Sequence, residues 1–302
     1  MRVNPICGFL GSGKTTLVRR ILGERASAEP MAVIVNEFGA VGIDGALLEG
    51  TNVNMIELTA GCLCCTLKGS LVGALEELRD TRGVSRVVIE ATGVAQPGEL
   101  LEVLGDPTLR GSVEVGPIIT VVDTAKFRGL RRVLGSFYTE QVQRADVVIL
   151  NKTDLNAGNQ LEEVRRDVIG LNPKAKVVAA ERCNVELDMV LDGERRAPEA
   201  SALEQGLASP APAASFVSFV VPTAFDADRA AVERFFASLP SEILRAKGFM
   251  TIDGQLATVQ FAAGQLEITP APGTRPPTMV FISNGDPDRS AIAETLGRTR
   301  RS

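Results

Sequence analysis

The chain has 302 residues, 45% of them hydrophobic, and a formal net charge of −5 at pH 7. A chain of this length can bury one large and one small core. Its mildly acidic balance offers no basic footprint for nucleic acid, so we expect no nucleic-acid partner. No apolar run is long enough to span a membrane, and the first predicted strand begins at residue 2, which leaves no room for a signal peptide. With clustered free cysteines, these features predict a protein of the reducing cytoplasm.

A glycine-rich loop near the start of the chain predicts phosphate binding. Residues 8–15 read GFLGSGKT and match G-x-x-x-x-G-K-[ST] without a mismatch. The loop follows an apolar strand pattern and precedes a run with helical spacing, so an ordinary Gly/Ser-rich turn is the weaker alternative. Lys14 can reach the β- and γ-phosphates during hydrolysis, and the Thr15 hydroxyl can bind Mg²⁺. The predicted nucleotide-binding residues of the loop are Gly11, Ser12, Gly13, Lys14, Thr15 and Thr16.

A second motif predicts which base is bound. Residues 146–154 read DVVILNKTD, a strand pattern followed by Asn151, Lys152 and Asp154. The Asp154 carboxylate can accept hydrogen bonds from N1 and N2 of guanine, and adenine lacks the N2 amino group. The aliphatic stem of Lys152 can lie on the purine face while Asn151 braces the loop. A polar turn is the alternative, but downstream of a phosphate loop the motif predicts GTP and GDP as ligands.

The run RVVIEATG, residues 86–93, predicts a buried strand that ends at a carboxylate. Glu90 would hold Mg²⁺ or its water shell, because carboxylate oxygens suit this ion. Gly93 would let a backbone N–H approach the γ-phosphate and so respond to its presence. A strand that ends at an exposed acid is the alternative.

Three of the five cysteines, Cys62, Cys64 and Cys65, lie within four residues and directly before a helix-like run. A helix N-terminus and a bound cation both favour the thiolate, the form that binds metal. The chain has no histidine, so sulfur and oxygen must supply the ligands, which favours Zn²⁺ or a neighbouring transition ion. Glu37 is the nearest plausible further ligand. A redox pair of Cys62 with Cys65, or inert buried thiols, are the alternatives.

Strand and helix patterns alternate as far as about residue 180, which predicts a parallel sheet with helices on both faces. Loops gather at the carboxyl edge of such a sheet, so the metal and the nucleotide should be neighbours. Residues 180–184 lie where a second guanine-contacting loop would fall. Cys183, in this segment, and Cys7 both stand apart from the cysteine cluster and are predicted to be small core residues. Residues 192–214 are rich in Ala, Pro and Ser and read as a linker.

After the linker the pattern changes to short strands separated by turns, at Asp253-Gly254 and Ala263-Gly264, which predict hairpins. The final RTRRS reads as a solvated tail. We therefore predict a P-loop GTPase domain with the cysteine loop over residues 1–191, a linker over 192–214, and a smaller C-terminal α+β domain over 215–302.

The segments GFLGSGKTT, VNEFGAVGID, ELTAGCLCC, VIEATGVAQP and NKTD occur in the order found in the CobW-type metallochaperone GTPases, of the SIMIBI class of P-loop GTPases. The chain resembles that family over nearly its whole length. The resemblance implies GTP hydrolysis, nucleotide-dependent metal binding by the three clustered cysteines, and delivery of the metal to a client metalloprotein. It implies zinc first, with cobalt or iron as alternatives, and a homodimer that depends on nucleotide. Many relatives read NEFGE where this chain has Ala40, and many carry a histidine-rich loop that this chain lacks.

The hypothesis for hydrolysis is that Glu37 or Asp44 positions the attacking water while Lys14, Mg²⁺ and backbone N–H groups stabilise charge on the phosphates. Two other functions stay open at this point. A redox-regulated GTPase switch would respond to oxidant rather than to metal. A nucleotide-gated zinc-binding protein would bind both ligands without significant turnover.

Overall fold

The computed structural model describes residues 1–35, 53–57, 66–80, 83–93, 95–195, 216–262, 264–271 and 276–301. The chain divides into two compact units, residues 1–211 and 212–302. Several predictions fall outside the described residues. These concern Glu37, Ala40, Asp44, Cys62, Cys64, Cys65 and Ala263.

The first unit is built on an eight-stranded sheet whose described pairings are all parallel. Its strands are β1 Arg2–Cys7, β2 Met31–Val35, β3 Val53–Glu57, β4 Arg86–Glu90, β5 Glu114–Val115, β6 Ile119–Asp123, β7 Val147–Asn151 and β8 Lys176–Ala179. They lie in the order β3-β2-β4-β1-β6-β7-β8, and β5 pairs with β1. All five residues of β2, β4, β6 and β7 are buried, as expected of strands covered on both faces.

The described helices of this unit are α1 Lys14–Arg25, α2 Thr66–Asp80, α3 Pro97–Leu104, α4 Phe127–Gln143, α5 Gln160–Leu171 and α6 Leu187–Leu191. They pack on both sides of the sheet and form two apolar clusters. Leu17 and Ile21 of α1 lie in one cluster, and Leu71 and Leu75 of α2 lie in the other. The predicted parallel sheet with helices on both faces is therefore confirmed. The fourth helix is interrupted at Gly135, whose φ of 54° and ψ of −128° are not helical.

The elements of the second unit are β9 Phe216–Pro222, β10 Asp226–Ala227, α7 Arg229–Ala237, β11 Ile243–Ile252, β12 Gln255–Ala262, β13 Gln265–Pro270, β14 Thr278–Asn284 and α8 Arg289–Gly297. They form an α+β structure with an antiparallel sheet in the order β13-β12-β11-β14-β9, and the short β10 pairs in parallel with β11. Its core contains stacked Phe219 and Phe281 and the helical pair Phe235 and Phe236. The predicted hairpin turn at Asp253-Gly254 is confirmed by the positive φ of both residues.

The first residues of the predicted linker contact the parallel sheet. Arg86 Nη2 donates a 2.5 Å hydrogen bond to Asp192 Oδ1, and Arg2 Nη2 donates one of 2.8 Å to the carbonyl of Gly193. Arg86 is buried and also donates to Glu29 and to Asn4. The first residues assigned to the linker are thus bound to the amino ends of β1 and β4.

The prediction of a solvated C-terminal tail is wrong for its backbone. The amide of Arg301 donates to the carbonyl of Asp226, and Thr299 is buried. The guanidinium of Arg300 lies 5.3 Å from the centre of the Phe225 ring. The arginines of the segment favour exposure to solvent in the sequence, although its main chain is hydrogen-bonded.

Among the described helices, none combines the length and apolar character that crossing a bilayer requires.

Candidate nucleotide and metal site

The phosphate loop, residues 8–13, joins β1 to α1 through glycines in the left-handed region. Gly8 has a φ of 137° and Gly13 a φ of 115°. A Cβ at Gly8 would lie 2.3 Å from the carbonyl oxygen of Val121, and a Cβ at Gly13 would lie 2.4 Å from Asn151 Nδ2. Both positions therefore require glycine, for their φ and for the close approach of their neighbours. The loop ends at the N-terminus of α1, where backbone N–H groups form an anion site.

Lys14 and Ser12 complete the loop. Lys14 is 7% exposed, and its Nζ donates to the carbonyls of Gly8 (2.8 Å) and Phe9 (3.3 Å). The ammonium therefore lies over its own loop. The Ser12 hydroxyl is buried and has no hydrogen-bond partner among the described residues. The helix is capped by Gly13, which has no side chain to satisfy the first N–H groups. A buried cation and unsatisfied donors around a curled backbone fit phosphate.

Thr15 and Glu90 lie together, as their predicted shared role requires. Thr15 Oγ1 donates a 2.6 Å hydrogen bond to Glu90 Oε1, and Glu90 is 5% exposed at the carboxyl end of β4. A hydroxyl and a carboxylate are hard oxygen donors, the kind that Mg²⁺ prefers. The donor set of this pair therefore fits Mg²⁺.

Gly93 lies against the phosphate loop. A Cβ at this position would meet Leu10 at 2.4 Å from its Cδ2 and 2.7 Å from its backbone nitrogen. Only glycine allows so close an approach. The segment that follows Glu90 therefore lies against the phosphate loop, so a movement of the loop would shift this segment. Thr16, by contrast, is exposed on α1.

The NKTD segment, residues 151–154, is tied to the phosphate loop by Asn151. Its Nδ2 donates to the carbonyl of Ser12 at 2.8 Å, and its Oδ1 accepts the backbone N–H of Cys183 at 2.8 Å. Lys152 has a φ of 62°, which turns the chain away from β7. Asp154 follows in the 3₁₀ turn 153–155 and is exposed. Asn151 therefore braces the loop, and the Asp154 carboxylate is open to a ligand.

The 180–184 loop has a closer relation to the site than the sequence indicated. Arg182 and Cys183 have φ values of 48° and 55°, and Cys183 Sγ lies 3.4 Å from the carbonyl oxygen of Gly13. Arg20 Nη1 of α1 donates to the Cys183 carbonyl at 2.8 Å. Cys183 is fully buried, as predicted, and burial raises the pKa of its thiol to about 12. Burial likewise raises the pKa of the Cys7 thiol to about 12. Neither the left-handed backbone nor the Arg20 contact has a sequence signature.

The carboxyl ends of four neighbouring strands are level with one another. Glu57 of β3 pairs with Val35 of β2, Val35 pairs with Glu90 of β4, and Glu90 pairs with Ile6 of β1. The chain that leaves β2 contains Glu37 and Asp44, and the chain that leaves β3 contains the clustered cysteines; all lie outside the described residues. Within the residues that are described, no group of three or more Cys, Asp or Glu could hold a metal.

Comparison with known proteins identifies both units. Residues 2–179 match the family described as CobW/HypB/UreG, nucleotide-binding domain, and residues 216–300 match the Cobalamin synthesis protein cobW C-terminal domain. The Escherichia coli protein named zinc chaperone YjiA is 30% identical over 98% of this chain and 99% of its own length. A Sinorhizobium protein named zinc chaperone CobW is 31% identical over 83% of this chain and 81% of its own length.

A Pseudomonas aeruginosa protein, also named zinc chaperone CobW, is 34% identical over 63% of this chain, and the match spans 59% of that relative's length. Among solved structures, Zn(II)-bound YjiA GTPase from E. coli aligns over 100% of this chain and 99% of that chain, with 24% identity and a TM-score of 0.50. That likeness concerns the fold. The chain belongs to the CobW/HypB/UreG family of nucleotide-binding proteins.

Proposed function

We propose that this protein is a GTP-binding and GTP-hydrolysing metallochaperone. The observation that carries the proposal is the Thr15–Glu90 hydrogen bond, which joins the start of α1 to the carboxyl end of β4. Val35, the last residue of β2, pairs in register with Glu90, and Glu57, the last residue of β3, pairs with Val35. The segments that contain Glu37 and the cysteines therefore begin at the same edge of the sheet as Glu90, one of the two Mg²⁺ candidates.

The nucleotide-binding role is assigned to the phosphate loop and the NKTD segment. The phosphates of GTP would lie against the N–H groups of residues 8–13 and against Lys14, whose buried ammonium already contacts loop carbonyls. Gly93 would bring its segment to the γ-phosphate. Asp154 would accept the N1 and N2 donors of guanine, and Asn151 would keep the base loop in register with the phosphate loop through Ser12.

In hydrolysis, Lys14 and the loop N–H groups would stabilise the charge that develops on the phosphates. Thr15 and Glu90 would hold Mg²⁺, which would supply positive charge to offset the charge of the phosphates. We assign the positioning of the attacking water to Glu37 or Asp44. Because the described residues offer no arginine in the loop that could reach the phosphates, we expect slow intrinsic turnover.

The cargo site is assigned to Cys62, Cys64 and Cys65 with Glu37 as the fourth ligand. Three thiolates and a carboxylate suit Zn²⁺, and the relatives named zinc chaperones make zinc the first choice, with Co²⁺ or Fe²⁺ as alternatives. The cysteines follow β3 and the phosphate loop follows β1, and two strands lie between β3 and β1. Control of metal binding by the nucleotide would therefore act across three strand spacings, roughly 14 Å. One of the two intervening strands is β2, which leads to Glu37. The cargo would pass to a client metalloprotein in the cytoplasm, and a nucleotide-dependent homodimer belongs to the same proposal.

The test is GTP turnover by the purified protein and by Lys14→Ala. Lys14→Ala should lose at least the about 10²-fold contribution typical of one electrostatic catalytic group. Lys176→Ala, which removes an exposed lysine from β8, is the matched control and should keep the wild-type rate. Wild-type turnover in a folded Lys14→Ala protein would contradict the assignment. Binding of GTP and zinc without turnover in the wild type would instead favour the nucleotide-gated zinc-binding protein.

A further inference from the structure

A buried carboxylate lies beside the base-recognition loop. Asp123 is the last residue of β6, is 3% exposed, and pairs in register with Asn151 at the end of β7. Its Oδ2 accepts a 2.8 Å hydrogen bond from Lys152 Nζ, and its Oδ1 accepts one of 3.1 Å from the backbone of Ala125. A carboxylate this deeply buried needs a cation or several donors. Here Lys152 supplies the cation.

The pairing constrains Lys152 in two ways. Its backbone is left-handed, with a φ of 62°, and its ammonium is held by Asp123, so both ends of the side chain are fixed. Thr124, which follows Asp123, holds the main chain just before Lys152, because its Oγ1 donates to the carbonyl of Asn151 at 2.8 Å. Asn156 Nδ2 in turn donates to Thr124 Oγ1 at 2.7 Å. A lysine on a surface loop is normally free to rotate, and this one is not.

We propose that Asp123 is a positioning residue for guanine-nucleotide binding, which holds the aliphatic stem of Lys152 where it can lie on the purine face. The proposal rests on the proposed function. Asp123 acts through Lys152, and Lys152 touches the face of the base rather than its edge. The Asp123 carboxylate therefore contributes to the affinity for purine nucleotides in general, whereas Asp154 determines which purine is chosen.

This division of roles is tested by measuring the affinities for GTP and ITP, since ITP lacks the N2 amino group. Asp123→Asn should weaken both by the same factor, about 3- to 10-fold, which corresponds to ordering one long side chain on binding. The GTP/ITP ratio should stay at the wild-type value. In Asp154→Asn that ratio should change. A changed ratio in Asp123→Asn, or unchanged affinity for both nucleotides, would overturn the proposal.

A double-mutant cycle tests whether Asp123 acts through Lys152. The variant with both Asp123→Asn and Lys152→Met should bind GTP no more weakly than Lys152→Met alone, because the second change removes what the first positions. Additive losses would overturn the proposal. Asp123→Glu keeps the charge and should recover part of the affinity, and it serves as the second variant if Asp123→Asn does not fold.

The matched control is Asp146→Asn. Asp146 is a buried acid at the opposite end of the neighbouring strand, where its Oδ2 accepts the backbone N–H of Ile118 at 2.8 Å. Asp146→Asn should change thermal unfolding without changing nucleotide affinity. An equal loss of affinity in both variants would mean a general effect of losing a buried carboxylate and would overturn the proposal. A wild-type protein that binds no guanine nucleotide would overturn the proposed function itself, which is a distinguishable result.

Discussion

Thr15 and Glu90 are 75 positions apart in the chain, and their side chains are joined by a 2.6 Å hydrogen bond. The hydroxyl belongs to the first turn of α1, and the carboxylate ends β4, so the contact fixes the phosphate loop to the adjacent strand. Because β4 pairs with both β1 and β2, Glu90 lies between the strand that leads into the phosphate loop and the strand that leads toward Glu37. This position makes it the most informative single residue for the magnesium assignment.

We expect Glu90→Gln to raise the Mg²⁺ concentration needed for half-maximal GTP hydrolysis by about 10- to 100-fold, the loss typical when a residue that supports a metal site is changed. The glutamine amide keeps the shape of the carboxylate and can still accept the hydrogen bond from Thr15, but it carries no negative charge. A Mg²⁺ titration at saturating GTP measures the effect. Glu163→Gln is the control, since Glu163 is a surface carboxylate paired with Arg128 on another helix. An unchanged Mg²⁺ dependence in Glu90→Gln would remove Glu90 from the site.

Gly13→Ala should destabilise the protein by about 1–3 kcal/mol, because a non-glycine residue would be forced into the left-handed region. Its Cβ would also meet Asn151 Nδ2 at 2.4 Å, so GTP binding should be lost. Gly23→Ala on α1 is the matched control: its Cβ would meet nothing within 4 Å, and the change should stabilise by up to about 1 kcal/mol. Denaturant unfolding and nucleotide titration of both variants provide the comparison. Equal behaviour of the two would show that Gly13 is not required.

Asp154→Asn should weaken GTP binding by about 10- to 100-fold, the cost of a lost charge-assisted hydrogen bond. The new amide can donate to the C2 oxygen of xanthine, so affinity for XTP should rise. Competition between GTP and XTP measures both changes. Asp167→Asn, which alters an acid paired with Arg128 on the surface, should leave the ratio as it is. If the ratio in Asp154→Asn equals that of the wild type, guanine is recognised elsewhere.

Burial of Cys7 and Cys183 predicts a dependence on pH. Both thiols have a folded-state pKa of about 12 against an ordinary value of 9.0. Between these values the unfolded chain loses thiol protons that the folded chain keeps. The contribution of the two protonated thiols to the free energy of unfolding is therefore complete below about pH 9 and is lost as the pH rises toward about 12. The free energy of unfolding should fall less steeply with pH above 9 in Cys7→Ala and Cys183→Ala. The same slope in these variants and in the wild type would contradict the burial effect.

The same thiols should also resist chemical labelling. Replacing Cys62, Cys64 and Cys65 with serine leaves only Cys7 and Cys183 of the five cysteines. At pH 8 we expect negligible alkylation of this folded variant and full alkylation in denaturant, because the thiolate is the reactive form. Labelling of the folded protein at the rate of the unfolded chain would contradict the burial of both residues.

Local patterns were sufficient to predict much of the framework. The strands at residues 31–35 and 86–90 are short apolar runs, and the turn at Asp253-Gly254 has the residues that such a turn needs. The phosphate loop was predictable because the left-handed positions Gly8 and Gly13 are glycines. In each case the residue type and the required backbone conformation agree.

Other features depend on tertiary contacts that leave no local pattern. Arg182 and Cys183 adopt left-handed φ values without being glycine, and the hydrogen bonds of Asn151 and Arg20 hold Cys183 there. The carboxylate of Asp123 ends an apolar strand pattern and gave no sign of its pairing with Lys152. Such pairs form only when the sheet brings the ends of two strands together.

We propose that bound nucleotide controls metal binding, and the decisive measurement is the zinc affinity with Mg²⁺·GTP, with Mg²⁺·GDP and without nucleotide. We expect zinc to bind about 5- to 150-fold more tightly with Mg²⁺·GTP, and zinc to tighten GTP binding by the same factor, since linkage is reciprocal. Changing both Cys64 and Cys65 to Ala should erase that factor and leave the intrinsic GTP affinity nearly intact. Equal zinc affinity in the GTP and GDP states would contradict nucleotide-controlled delivery, even if the three cysteines bind zinc.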